Sequence, residues 1–251
     1  MRWKTICFDL DNTLFSHEAA FEKAIRHCYK KQLEDWQKKG LSFEPVDEDV
    51  WFDLFKHNSD LYWDQFENKI IDASTYRRMR YHDTMTAFGL PYCDEEADEF
   101  HELYYHIVYQ FSEPFEGMEQ LFQRLRAEGV KIGIITNGTV DTQYKKVTEL
   151  GLDEYIEKEC IFISEQLGIS KPDKQIFSHA LEVLDACETG ILFVGDSWEH
   201  DVVGAIEAGW DAIYLNSRGE KPTDQSVKPV AICRSLLEVC EVIYEANCWE
   251  G

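Results

Sequence analysis

The stretch Thr5-Ile6-Cys7-Phe8-Asp9-Leu10-Asp11-Asn12-Thr13-Leu14-Phe15 joins a four-residue apolar run to two carboxylates spaced two apart. An extended chain alternates its side chains, so Asp9 and Asp11 leave the end of this run on the same side. Similar apolar runs recur at 130–135, 161–163, 191–194 and 212–215, each with the length and composition of a strand buried on both faces. Between them, apolar residues fall at helical steps: Met118, Leu121, Phe122 and Leu125 before the second run, and Ile176, Phe177, Ala180, Leu181 and Leu184 before the fourth. The alternation predicts an α/β fold with a doubly wound parallel sheet. Ligands bind at the C-terminal strand ends of such a sheet, which is where Asp9 and Asp11 fall. Alone, an Asp-x-Asp there reads equally well as a turn or a helix N-cap.

Residues 15–111 break the pattern. They hold no comparable strand run and repeat apolar side chains at three- and four-residue steps, as in Phe21, Ala24, Ile25, Cys28 and Leu33, or Phe100, Leu103, Tyr104, Ile107 and Phe111. The segment carries 20 of the 34 aromatic residues of the 251-residue chain, as expected of a small helical bundle that fills its core with rings. The expected organisation is therefore a core formed by 1–14 and 112–251, with a helical domain inserted at 15–111. Within the insert, Arg77, Arg78 and Arg80 read as a solvated basic helix face. Arg80 is a candidate substrate contact and Trp63 or Tyr81 a candidate stacking ring. Residues 217–228 read as an exposed loop before a last strand–helix pair.

A second acidic group follows the fourth apolar run, in Gly195-Asp196-Ser197-Trp198-Glu199-His200-Asp201. Two strand ends thus bring carboxylates together, and each close pair costs on the order of 4 kcal/mol at 4 Å and an effective dielectric of 20. A cation must sit among them. Oxygen-only ligands favour a hard divalent ion, and Mg²⁺ is the usual one where phosphate is also held. Lys171, in Ser170-Lys171-Pro172, offers a fixed positive charge, and Thr136-Asn137-Gly138 after the second run offers a hydroxyl, an amide and a loosened backbone to phosphoryl oxygens. Each alone has a bland reading, as a surface lysine or a ligand-free turn. Four such segments in order, each at or between strand ends, do not.

Composition narrows the field. With 25 Lys and Arg against 48 Asp and Glu, the net charge of −23 repels nucleic acid polymers. No run of about 18 apolar residues is present, so neither a membrane span nor a signal peptide is expected and the cytoplasm is the default. Eight cysteines without a C-x-x-C pair read as reduced thiols instead of a disulfide framework or zinc site. His200 reads as a loop residue, and Trp198 as packing beneath a loop. A small phosphorylated metabolite is the expected partner, and a monomer or homodimer the expected state.

The ordered set of DLDNT at 9–13, TNG at 136–138, Lys171-Pro172 and GDSWEHD at 195–201 resembles the haloacid dehalogenase-like (HAD) hydrolase superfamily, and the insert is similar to its type-one helical cap. The resemblance implies a Rossmannoid core and two-step covalent catalysis. Asp9 would attack phosphorus to form an aspartyl-phosphate, and Asp11 would protonate the leaving oxygen and later deprotonate water. It implies Mg²⁺ on the Asp9 carboxylate, the Asp11 backbone carbonyl and Asp196, with Asp201 holding the ion's waters or orienting Lys171. Thr136 and the Asn137 backbone would bind the phosphoryl group, and Lys171 would neutralise it. Relatives that break carbon–halogen bonds lack an acid at the position of Asp11, so the likeness is to a phosphatase. DLDNTLF, Leu61-Tyr62-Trp63 with Phe66-Glu67, and Arg80-Tyr81 resemble bacterial pyrimidine nucleotidase-like phosphatases, implying a nucleoside 5′-monophosphate substrate. A sugar phosphomutase would use the same carboxylates, and a phosphonate hydrolase would need a cap lysine such as Lys23, Lys30, Lys31 or Lys69. An inactive binding protein on this scaffold would have lost a nucleophile or metal carboxylate, and none is missing.

Overall fold

The computed structural model describes residues 1–68, 70–187, 189–224 and 226–249. The chain divides into two units, Met1–His17 with Ser112–Gly251, and Glu18–Phe111. In chain order, strand β1 (Thr5–Phe8) is followed by helices α1 (His17–Lys38), α2 (Glu48–Glu67), α3 (Ala73–Ala87) and α4 (Asp94–Ile107). Then come α5 (Met118–Ala127), β2 (Lys131–Thr136), α6 (Val140–Glu149), β3 (Ile161–Ile163), α7 (Ser164–Leu167) and α8 (Lys174–Val183). The chain closes with β4 (Ile191–Gly195), α9 (Gly204–Glu207), β5 (Asp211–Leu215), β6 (Ala231–Cys233) and α10 (Leu236–Asn247).

The six strands form one parallel sheet in the order β3-β2-β1-β4-β5-β6. β1 and β4 are buried along their whole lengths, which is why both read as unbroken apolar runs. Phe8 packs on Phe122 of α5 at 5.2 Å between ring centroids. Its neighbour Cys7, pointing the other way, joins Ile176, Phe177 and Ala180 of α8 with Phe193 and Trp210. The sheet is thus covered on both faces, and the run before the fourth strand is the helix its spacing predicts. The strand order reverses between β1 and β4, so the connections on either side leave in opposite directions and open a crevice beyond their C-terminal ends. Asp9 directly follows β1 and Asp196 directly follows β4, the two strands that flank this switch point.

Phe15, Ser16 and His17, expected in the insert, group with the sheet unit. Phe15 is fully buried and bridges both Asp11 and Pro114, so the chain leaves the core only after this ring is covered.

In the unit Glu18–Phe111, Asp47 caps α2 by accepting from the Asp49 and Val50 N–H groups, and Asp72 caps α3 at Thr75. Rings fill its interior: Tyr29 stacks on Trp51 at 4.1 Å, and Trp51 on Phe55 at 5.1 Å. The arginine group departs from the expected solvated face. Arg78 does face outward, joining α3 to α4 through Asp94 at 2.6 Å and Asp98 at 3.0 Å. Arg80 is only 5% exposed, donates to the Tyr76 hydroxyl at 3.2 Å, and lies over the Phe55 ring. A guanidinium can leave water this way because ring faces attract it. Of the two candidate stacking rings, Tyr81 is buried and Trp63 is exposed.

Candidate active site

Asp9, Asp196 and Asp201 are all buried, and one carboxylate oxygen from each lies within 4.8 Å of the others. Lys171, also buried, donates from Nζ to Asp9 Oδ1 at 2.6 Å and to Asp201 Oδ1 at 2.7 Å. The second oxygen of Asp201 accepts from the Ser197 backbone N–H at 2.9 Å. Gly195 makes this approach possible, since a Cβ there would stand 2.3 Å from Asp201 Oδ2. Thr13 donates to Asp9 Oδ2 at 3.1 Å. Asp9 and Asp201 are therefore each held on both oxygens and share Lys171, and Asp196 completes the acidic group.

Asn137 brackets the lysine segment, accepting from the Lys171 N–H at 2.9 Å and donating to the Lys171 carbonyl at 3.0 Å. Its side-chain amide is thereby tied to the lysine segment, and its backbone and the adjacent Thr136 hydroxyl are the other polar groups of this turn. Thr136 is completely buried, and its Oγ1 has no hydrogen-bond partner among the described residues.

Burial first, and then repulsion from Asp201 and Asp11, push Asp9 above the ordinary carboxylate range despite Lys171. Burial and the negative charges of Asp9 and Asp201 push Asp196 up in the same way. Burial opposes the charge on Lys171, but Asp201 and Asp9 override it and raise its pKa. Asp11 is in another environment. Burial would raise its pKa, but Lys146, His17 and Gln143 outweigh it and bring the group to about 2. Lys146 Nζ is 2.6 Å from Asp11 Oδ1, Gln143 Nε2 is 2.9 Å from Oδ2, and His17 Nδ1 is 3.6 Å away.

Four residues of this neighbourhood do not stand out in the sequence. Gln143 and Lys146 are three apart on α6 and share a face, but polar residues at that spacing read as solvated. His17 is one of eight scattered histidines. Arg218 lies in the segment expected to be an exposed loop and is itself exposed, and its Nη2 reaches Asp196 Oδ2 at 2.8 Å. Among the lysines of the helical unit, Lys30 pairs with Glu48 at 3.0 Å and Lys31 with Asp35 at 3.3 Å, as on solvated helix faces. Lys69 and the side chain of Glu67 lie outside the described residues. Trp198 is buried against Tyr214, the packing role expected of it, with ring centroids 5.3 Å apart.

The donor set fits a hard divalent cation. Three buried carboxylates face one buried lysine, with Arg218 at the Asp196 side, so negative charge is left uncompensated inside the protein. The available ligands are oxygens, with no histidine or thiol in the cluster, which suits Mg²⁺ better than a softer metal.

Residues 3–209 match the family model of the haloacid dehalogenase-like hydrolases, so the chain belongs to that family. It is similar to the pyrimidine 5′-nucleotidase YjjG of Escherichia coli K12, with 26% identity over 97% of this chain and 99% of the relative. It is also similar to a glyceraldehyde 3-phosphate phosphatase of Methanopyrus kandleri, with 26% identity over 84% of this chain and 83% of the relative. The crystal structure of YfnB from Bacillus subtilis, solved with magnesium bound, shares the fold with a TM-score of 0.79 at 24% identity, covering 97% of this chain and 99% of that one. None of the described helices is long and apolar enough to cross a membrane.

Proposed function

We propose that this hydrolase is a Mg²⁺-dependent phosphatase of small phosphomonoesters, with nucleoside 5′-monophosphates as the first substrate class to test. The observation that carries the reading is the meeting of Asp9, Asp196 and Asp201 around Lys171 beyond β1 and β4. The phosphatase names of the relatives support the ester class, and YjjG supports the nucleotide.

In this reading a carboxylate oxygen of Asp9 forms a bond to phosphorus as the bond to the leaving oxygen breaks. Asp11, ionised in the free enzyme, takes up a proton as the negative charge of a bound ester enters beside it, gives that proton to the leaving oxygen and then takes one from the water that cleaves the aspartyl-phosphate. The Thr136 hydroxyl and the Asn137 backbone N–H hold phosphoryl oxygens. Lys171, fixed between Asp9 and Asp201, offsets their charge without having to reorganise. The Asp9 carboxylate, the Asp11 backbone carbonyl and Asp196 would hold the cation, which when bound screens the phosphoryl charge and allows an anionic nucleophile to approach it.

The test is release of inorganic phosphate from a panel of nucleoside monophosphates and sugar phosphates, with Mg²⁺ and with chelator. Wild type should release phosphate only with the metal, and Asp9→Asn should release none. Conversion of a sugar phosphate to its isomer without free phosphate would favour a mutase instead. Failure on every ester, with Asp9→Asn indistinguishable from wild type, would end the proposal.

A further inference from the structure

The turn that follows β2 is pinned from the neighbouring strand. β3 is a three-residue edge strand beside β2, in a register that sets Ile163 next to Thr136. Ser164, the residue after β3, is thereby carried to the turn. Its Oγ accepts from the Gly138 N–H at 3.0 Å and donates to the Gly138 carbonyl at 3.4 Å. The same carbonyl accepts from the Glu165 N–H at 3.4 Å, and the exposed Glu165 carboxylate accepts from the Val140 N–H at 2.7 Å. Thr139, which precedes α6, makes no side-chain cap, so the first N–H of that helix is capped from beyond β3 instead. On the far side of the turn, the Asn137 carbonyl accepts from Gln143 Nε2 at 3.3 Å. Gly138 leaves the space for this, since a Cβ there would stand 2.2 Å from that nitrogen. The peptide joining Asn137 to Gly138 is therefore tied at its carbonyl by Gln143 and at its N–H by Ser164. Beside it, neither the Asn137 N–H nor the Thr136 hydroxyl has a hydrogen-bond partner among the described residues. Unmade bonds of this kind are rare in folded proteins, and two side by side beyond a strand end fit the oxygens of a phosphoryl group.

We propose that Ser164, aided by Glu165, is a positioning residue for phosphate binding. By holding the Gly138 peptide and the start of α6, the pair fixes the direction in which the Asn137 N–H points beside the Thr136 hydroxyl. The inference rests on the phosphatase reading above. Phosphoryl oxygens meet this turn in substrate and transition state alike, so loss of its fixed shape acts on KM and leaves kcat nearly alone.

Inorganic phosphate is the probe. With Mg²⁺ present, its inhibition constant is measured against nucleoside 5′-monophosphate hydrolysis followed by nucleoside release, together with KM and kcat. Ser164→Ala should raise the inhibition constant and KM in parallel by about fivefold or more, the scale of a weakened hydrogen bond to a charged acceptor, with kcat within about twofold. Ser164→Thr, which keeps the hydroxyl, should recover most of the loss. Glu165→Gln keeps an acceptor for the Val140 N–H and should match wild type, while Glu165→Ala should raise both constants. Melting curves with and without Mg²⁺ separate folding from binding in Ser164→Ala, and the exposed Glu165 can be changed without risk to the core. Unchanged constants in both alanine variants, or a fall confined to kcat, would overturn the inference and leave the phosphatase reading standing. So would tighter phosphate binding in Glu165→Ala, since the carboxylate would then repel the anion more than its bond steadies the turn. A wild type that neither binds phosphate nor hydrolyses any ester would remove that reading and the inference with it.

Discussion

At Lys171 two carboxylates, 2.6 and 2.7 Å away, outweigh the cost of burying an ammonium. Removing it leaves Asp9 and Asp201 buried without a cation between them, the costly half of a broken pair. Lys171→Met should therefore lower kcat at least a hundredfold and reduce the melting temperature as well. Lys171→Arg should not restore activity, because a planar fork does not fit a slot shaped for a point charge. His101 provides a pH test away from the site. Burial, with Arg80 and Arg77 adding to it, lowers its pKa from 6.5 to about 2. The unfolded chain thus takes up a proton below pH 6.5 that the folded chain refuses, so stability is lost as pH falls through the window from 6.5 to 2 and is unaffected above it. Melting temperature followed from pH 7 to 5 should fall in wild type and fall less in His101→Gln.

The strand ends work as elements because two glycines lack a side chain. Gly195→Ala places a methyl where Asp201 Oδ2 now lies, and the carboxylate must move off Lys171 or strain at about 1–3 kcal/mol. Thermal melting should show a modest loss, and turnover a larger one. Phe177→Ala in α8 should do the reverse. The ring packs on Phe193 and Trp210, each at 5.4 Å, and its loss should cost about 3–5 kcal/mol while the remaining folded protein keeps its KM. The strands, α8 and the insert are legible because burial on both faces or on one stripe prints a period of apolar residues into the chain. Asp9 and Asp196 are legible because a carboxylate directly after such a run has a known place in a parallel sheet. Lys146, Gln143 and Arg218 are not: their chemistry depends on which helix face turns inward and on which carboxylate a loop passes, and a polar residue carries the same letter either way.

Across the whole molecule, the chain carries 48 acidic residues against 25 basic ones, and among the described residues three buried carboxylates gather where β1 and β4 end. A cation bound there stabilises only the folded state, by about 2.7 kcal/mol at a hundred times its dissociation constant. Mg²⁺ should raise the melting temperature by several degrees, a readout independent of turnover. Asp196→Asn should melt at or above metal-free wild type, because it removes a repelled charge, and should lose the Mg²⁺ shift. An equal shift in both proteins would place the ion elsewhere.

Sequence alone determined the parallel α/β core, the helical insert and the carboxylates at the ends of the first and fourth strand runs, since each follows from local periodicity and from where a strand stops. Tertiary structure decided that Arg80 is buried among rings, that the Asn137 amide holds the Lys171 segment, that Arg218 meets Asp196, and that α6 grips Asp11. The last three of these pairings join residues up to 135 apart along the chain, and no local pattern records a pairing that exists only once the sheet has brought its strand ends together.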